Sequence, residues 1–140
     1  MNLQELLKKG LIRKIGADGE LANELLTGAA NDLKVAQDNF NDSNFGWSLA
    51  IAYNAMLTAG RALMAKEGYG TFSDGHHLAV VQFCTMRLGA DASDLTHAFN
   101  RYRVRRHGVL YGQSLPVGEN EAKTAIENAK LFTWKIRAKF

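Results

Sequence analysis

The fold is decided by residues 48–68, SLAIAYNAMLTAGRALMAKEG, a run without proline. If this run and the residues just before it form a helix, apolar side chains occupy two of its faces. One face carries Trp47, Ile51, Ala55, Thr58 and Ala62, and the other carries Leu49, Tyr53, Met56, Gly60, Leu63 and Met64. A helix that is apolar on two sides is typical of the centre of a bundle. Small residues, among them Ala52, Ala59 and Gly60, predict that neighbouring helices approach it closely.

Amphipathic helices are predicted on both sides of this central run. Towards the N-terminus, apolar residues recur every three or four positions from Asp18 to about Asn41, at Leu26, Ala29, Leu33, Ala36 and Phe40. The last helix is predicted from about Glu119 to Lys139, with an inward face of Ala122, Ile126, Ala129, Phe132 and Ile136. Each helix has one apolar face to bury against the central run.

Two more helices are expected between residues 70 and 112. The first is predicted to begin near Asp74 and to bury Leu78, Val81, Met86 and Leu88, and the second to begin near Asp91 or Ser93. No segment alternates with a period of two for long, which predicts that the chain has no sheet. The fold class is therefore all-α, an antiparallel up-and-down bundle of four to five helices.

Length and composition favour one domain in a reducing compartment. The chain has 140 residues, of which 46% are hydrophobic, and residues 1–16 are predicted as a short helical extension of a bundle over 17–140. The lone Cys84 excludes an intrachain disulfide, and its apolar neighbours predict a buried thiol. No apolar run suits a signal peptide or a membrane span, so a cytoplasmic protein without membrane contact is expected.

Positive charge is concentrated in residues 97–112, HAFNRYRVRRHGVLYG. The formal net charge is +3, and removal of the four arginines in this segment would lower it to −1. One guanidinium group can bind two anionic oxygens at the same time, so a phosphate ligand is expected here. On a helix, Leu95, Phe99 and Tyr102 form an apolar stripe that Arg106 continues. The alternative is a solvated basic face that pairs with the acidic helix around residues 18–42.

Other candidate sites receive less support from the sequence. His76 and His77 are adjacent, so they point apart on a helix, and neither Cys84 nor the remaining histidines complete a metal-ligand spacing. The segment GYGTFSDG, residues 68–75, has no preceding strand to make it a phosphate loop and is interpreted as an inter-helix loop. Neither a metal nor a cofactor is predicted.

Five segments in this order resemble the HEPN domain (higher eukaryotes and prokaryotes nucleotide-binding), over about residues 17–140. They are AANDLKVAQDNF, SLAIAYNAMLTAGRALMAKEG with its Ala-Tyr-x-Ala, DGHHLAVVQF, RRHGVLYG and GENEAKTAIENA. The resemblance implies an up-and-down helical bundle that is commonly dimeric. It also implies an RNase in many members, often a toxin paired with a small nucleotidyltransferase antitoxin.

The catalytic signature of that family is an Arg, a polar residue, three further residues and a His. Laid on this chain, it runs from Arg106 to Tyr111, so tyrosine stands where the family has histidine, as in a branch that ends its motif in Tyr-Gly. A phenol with a pKa near 10 is a poor proton shuttle at neutral pH, so weak catalysis is expected. A looser frame keeps Arg101 and His107 as catalytic candidates.

The preferred reading is a homodimer that binds RNA or a nucleotide in an arginine-lined groove, beside a nucleotidyltransferase antitoxin partner. The predicted lining is Arg101, Arg103, Arg106, His107 and Tyr111, with Tyr111 or Tyr102 stacking on a base. One alternative is a metal-independent endoribonuclease that uses His107 as acid and base and an arginine such as Arg101 to stabilise the phosphorane. Another is a protein-interaction module whose basic helix docks an acidic partner.

Overall fold

The computed structural model describes residues 1–73, 76–112 and 115–140. Within them lie six α-helices, a 3₁₀ turn at Ala90–Ala92 and two short strands. The helices are α1 (Leu3–Lys8), α2 (Gly19–Asn41), α3 (Phe45–Glu67), α4 (His77–Leu88), α5 (Ser93–Leu110) and α6 (Glu119–Arg137), and the strands are β1 (Arg13–Lys14) and β2 (Tyr69–Gly70). The chain is an all-α helical bundle, as the sequence predicted. None of the helices in the described part of the chain is long and apolar enough to cross a membrane.

Helix α3 lies at the centre of the bundle, as predicted, and packs against α2, α4, α5 and α6. Its approach to α4 depends on Gly60, because a Cβ atom there would lie 2.8 Å from Val80 Cγ1 and 2.9 Å from Cys84 Sγ. The prediction for Trp47 is wrong, since its side chain is 60% exposed. It stands in the first turn of α3, where it lines an open pocket together with Val35 and Leu110.

The flanking helices bury most of the faces that the sequence predicted. All five inward residues of α6 are buried, and so are Leu26, Ala29 and Ala36 of α2. Helix α5 begins at Ser93, as expected. The expected start of the preceding helix, Asp74, lies outside the described residues, and α4 begins at His77. Leu78 in its first turn is 43% exposed rather than buried.

A small antiparallel ladder corrects the prediction that the chain has no sheet. Arg13 pairs with Gly70 and Lys14 with Tyr69, and two residues per strand are too few to show a period of two in the sequence. The Ile15 N–H also donates to the carbonyl of Gly68 over 2.9 Å. These bonds hold residues 1–16, the N-terminal segment, against the turn that follows α3.

The N-terminal segment contributes to the core. Leu6 and Ile12 are fully buried in the same apolar cluster as the side chains of α3 and α4. Gly68 ends α3 with a positive φ of 94°, and a Cβ atom there would meet the backbone nitrogen of Ala17 at 3.1 Å. Glycine therefore allows the chain to turn sharply where the two segments meet.

Phe99 joins three helices at the centre of the core and fixes the position of α5. Its ring is fully buried, with its centroid 5.7 Å from that of Tyr53 on α3 and 5.0 Å from that of Phe132 on α6. Tilted aromatic pairs at these distances add to the free energy gained by burial alone. The basic residues of α5 thus project from a helix whose apolar face is firmly packed.

Candidate functional site

Helix α5 and the first turn of α4 face each other across an open groove of about 730 Å³. From α5 it is lined by Arg103, Val104, Arg106 and His107, from α4 and the residue before it by His76, His77, Leu78 and Ala79, and from the N-terminal segment by Gly10 and Leu11. We term this surface the basic groove. It is built by tertiary packing, because three separate parts of the sequence meet there.

The lining of the basic groove suits an anion. It contains two arginines and three histidines, and none of the described residues that line it is acidic. The other lining residues are apolar or glycine, so few neutral polar groups compete for a bound ligand. Charge of one sign along a concave wall focuses the electrostatic field and attracts ligands of the opposite sign.

Arg106 is held in place by the core beneath it. Its Cζ atom lies 5.8 Å from the centre of the Tyr53 ring, at the distance of a cation–π contact. Burial raises the pKa of Tyr53 to about 12, although the charges of Arg106, Arg103 and Arg61 act in the opposite direction. The phenol therefore stays protonated at neutral pH. Arg106 continues the stripe of Phe99 and Tyr102, as the sequence predicted.

Tyr53 also contacts the opposite wall of the basic groove. Its hydroxyl lies 3.0 Å from Nδ1 of His77, and the two rings are 5.9 Å apart. One buried side chain on α3 thus touches Arg106 on α5 and His77 on α4. This arrangement fixes the distance between the two walls and orients a side chain on each.

The remaining groove residues of α5 are oriented by shorter-range contacts. Arg103 donates from Nε to Oδ1 of Asn100, one turn earlier, over 3.0 Å. His107 is exposed, and its ring centroid lies 4.7 Å from that of Tyr111. Tyr111 is 66% exposed just beyond the end of α5, so it extends the candidate site past the groove itself.

The structure brings together three of the six residues named from the sequence, Arg103, Arg106 and His107, and places Tyr111 beside them. Arg101 is exposed but does not line the basic groove, since six residues along a helix separate it from His107 by about 120° around the axis. Tyr102 is 7% exposed, and its hydroxyl accepts a hydrogen bond from Asn128 over 2.9 Å. Its ring belongs to the core.

Arg105 has a structural partner. Its Nε and Nη2 donate to the two carboxylate oxygens of Glu121 on α6, over 2.8 and 2.9 Å. Hydrogen bonding between them raises the pKa of Arg105 and lowers that of Glu121. The acid that Arg105 reaches is thus on α6 and not on α2, the acidic helix. Within a run of four arginines, this one stabilises the packing of two helices.

Tyr53, His76 and His77 were not predicted as site residues. From the sequence, Tyr53 was predicted to lie on an apolar face of the central helix, and His76 and His77 were predicted not to form a metal site. No local sequence pattern identifies them, because they approach the basic groove from α3 and α4, whereas the predicted site residues lie along α5 and just beyond it. Cys84 is fully buried, as predicted, and burial raises its pKa. No group of three potential metal ligands occurs among the residues described.

Comparison with models of protein families matches residues 22–137 to the HEPN domain. The match includes all of α3, α4 and α5 and nearly all of α2, and therefore both helical walls of the basic groove. A search of curated proteins finds no match.

Proposed function

Because the chain belongs to the HEPN domain family, we propose that it binds RNA or a nucleotide through the basic groove. Membership of the family supports nucleotide or RNA binding, or an RNase-like role, in general. The observation that carries the proposal is the joint placement of Arg103 and Arg106 in a groove whose described lining has no acid. Guanidinium groups form paired hydrogen bonds with the oxygens of phosphate, and family membership favours phosphate as the anion here.

The geometry favours a bound phosphate over diffuse attraction. Arg106 is half-buried and rests on the Tyr53 ring, so little side-chain freedom is lost when it binds a ligand. Arg103 is likewise half-buried and oriented by Asn100. His107 and Tyr111 add a donor and an exposed aromatic ring at the rim, where a sugar or base adjoining the phosphate would lie.

The proposal predicts salt-dependent binding of single-stranded RNA without cleavage. Phosphates that are neutralised by arginine release counterions, so the affinity falls as the salt concentration rises. With two arginine–phosphate contacts, it should fall at least about sevenfold between roughly 50 and 200 mM salt. Fluorescence anisotropy of an end-labelled oligoribonucleotide measures the affinity, and gel electrophoresis of the same sample shows that the RNA stays intact. An affinity that salt leaves unchanged would contradict phosphate binding in the groove.

A second candidate function is metal-independent RNA cleavage, favoured by the exposure of His107 beside two arginines. An imidazole exchanges protons near neutral pH, and an arginine in the groove would stabilise the phosphorane. Arg103 and Arg106 line the groove together with His107 and therefore suit this role better than Arg101. Robust cleavage in the experiment above that His107→Ala abolishes would make this candidate the better one.

We also propose that the protein acts as a homodimer alongside a nucleotidyltransferase partner. Val104 in the lining of the basic groove and Tyr111 beyond its end expose 59% and 66% of their surface, which supports an interface on this face. Two-fold pairing is the commonest closed assembly and would bring two grooves together. Sedimentation equilibrium at micromolar concentration should give twice the chain mass of 15.4 kDa. A single species of the chain mass would contradict the dimer.

A further inference from the structure

A second, smaller pocket adjoins the basic groove and shares Arg106 with it. Its volume is about 250 Å³, and α2, α3 and α5 all contribute to it. Trp47, Ile51 and Leu110 form apolar parts of the wall, and Asp32 and Asn54 add polar groups. Because Arg106 borders both spaces, a ligand that binds this guanidinium lies next to the pocket as well as the groove.

The lining of this pocket suits a flat, uncharged group. Trp47 leaves 60% of its surface open, and an exposed indole offers a face for stacking. The amide of Asn54 donates from Nδ2 to Oδ2 of Asp32 over 2.9 Å, so an amide and a carboxyl group meet at one edge. These are side-chain types that form hydrogen bonds with the edges of bases.

The basic groove and this pocket differ in the charge of their lining residues. The pocket contains a carboxyl group, whereas the described lining of the basic groove has none. Burial raises the pKa of Asp32 while its hydrogen bond with Asn54 acts in the opposite direction, which agrees with a partly desolvated site. A phosphate is therefore favoured in the groove and disfavoured in the pocket, although both border Arg106.

We infer that this pocket, termed the base pocket, takes the nucleobase of the nucleotide whose phosphate Arg106 binds, with the base stacked on Trp47. The inference rests on the proposed function and adds recognition of the base to recognition of the phosphate. Its volume is below the range of about 300–1,000 Å³ that is typical of sites for drug-sized ligands. It therefore suits one ring system, while sugar and phosphate stay outside.

The chain supplies a matched control, because its two tryptophans are Trp47 and Trp134 and both are largely exposed, at 60% and 66%. Trp134 lies on α6 and lines neither the basic groove nor the base pocket. Substitution of either one removes the same indole from the surface. A difference between the two variants therefore reports position rather than a general loss of aromatic surface.

The test compares Trp47→Ala with Trp134→Ala in binding to two probes, an oligouridine and an abasic ribose-phosphate strand of equal length. Stacking on an aromatic side chain is strong enough that Trp47→Ala should weaken oligouridine binding at least about fivefold. Binding of the abasic strand should not change, and Trp134→Ala should leave both affinities as in the wild type. In a Trp134→Phe variant, oligouridine should quench the fluorescence of Trp47, and the abasic strand should not.

The outcomes separate the inference from the proposed function. Equal binding of the two probes by the wild type would overturn the base pocket and leave phosphate binding intact. Failure to bind either probe would overturn the proposed function as well. If Trp47→Ala converts a dimer into monomers, a second copy of the chain covers the pocket and the inference is wrong. Thermal unfolding of each variant shows whether the fold is retained.

Discussion

Replacement of Phe99 by alanine is expected to lower the free energy of unfolding by about 3–5 kcal/mol. The ring is fully buried between Tyr53 and Phe132, so its removal leaves a cavity where α3, α5 and α6 meet. Domains of this size are stabilised by roughly 5–15 kcal/mol in total. The variant should therefore unfold at a much lower urea concentration than the wild type.

The control for this prediction is Phe72→Ala. Phe72 is 53% exposed and carries a cation–π contact with Arg13, whose Cζ lies 5.6 Å from the ring centre. Loss of an exposed contact of this kind should cost less than about 1 kcal/mol. Urea denaturation followed by circular dichroism measures both variants. Similar losses in the free energy of unfolding for the two variants would mean that Phe99 is not at the centre of the core.

Replacement of Arg106 by alanine should weaken RNA or nucleotide binding by about 10- to 150-fold. This range corresponds to about 1.5–3 kcal/mol, as expected for a hydrogen bond to a charged group in a partly desolvated site. Arg101→Ala is the matched comparison, since it also removes one charge from α5 but from an exposed position outside the groove. It should cost under about fivefold, which is typical of screened surface attraction.

Anisotropy titrations of the two variants at one salt concentration distinguish these cases. Equal losses would mean that the whole basic face attracts RNA without a defined groove, or that an acidic protein is the true partner. Arg105→Ala is a poorer comparison, because it breaks the pair with Glu121 and changes the packing of α5 against α6 as well as the charge. A larger loss of affinity for Arg106→Ala than for Arg101→Ala would show that the position of the arginine matters and not only its charge.

The long-range architecture was predictable because apolar periodicity records burial directly. The two apolar faces of α3 identified the central helix, and Gly60 identified a close approach to a neighbour. Trp47 fits the same pattern but is exposed, since periodicity cannot tell whether a neighbour extends as far as the first turn. The β1–β2 ladder escaped prediction because two residues per strand carry no periodic signal.

The candidate site was predictable only along α5. The apolar stripe that ends at Arg106 indicated where its guanidinium would emerge, and the structure places it over Tyr53. The opposite wall comes from His76 and His77, more than 25 residues earlier in the chain. Their approach follows from the packing of α4 on α5, which no local pattern encodes. Likewise, nothing near Arg105 in the sequence distinguishes its pairing with Glu121 from the solvent exposure of Arg101.

The contact beneath Gly60 limits how this sequence can evolve. A Cβ atom at that position would lie within 3 Å of both Val80 and Cys84, so a larger residue requires a smaller one at position 80 or 84 or a shift of the whole α4 helix. Such a shift would displace His77 from Tyr53 and alter the wall of the basic groove. Mutations at these three positions are therefore coupled, and the helix crossing is restrained by the basic groove, because His77 lies only three residues before Val80 on α4.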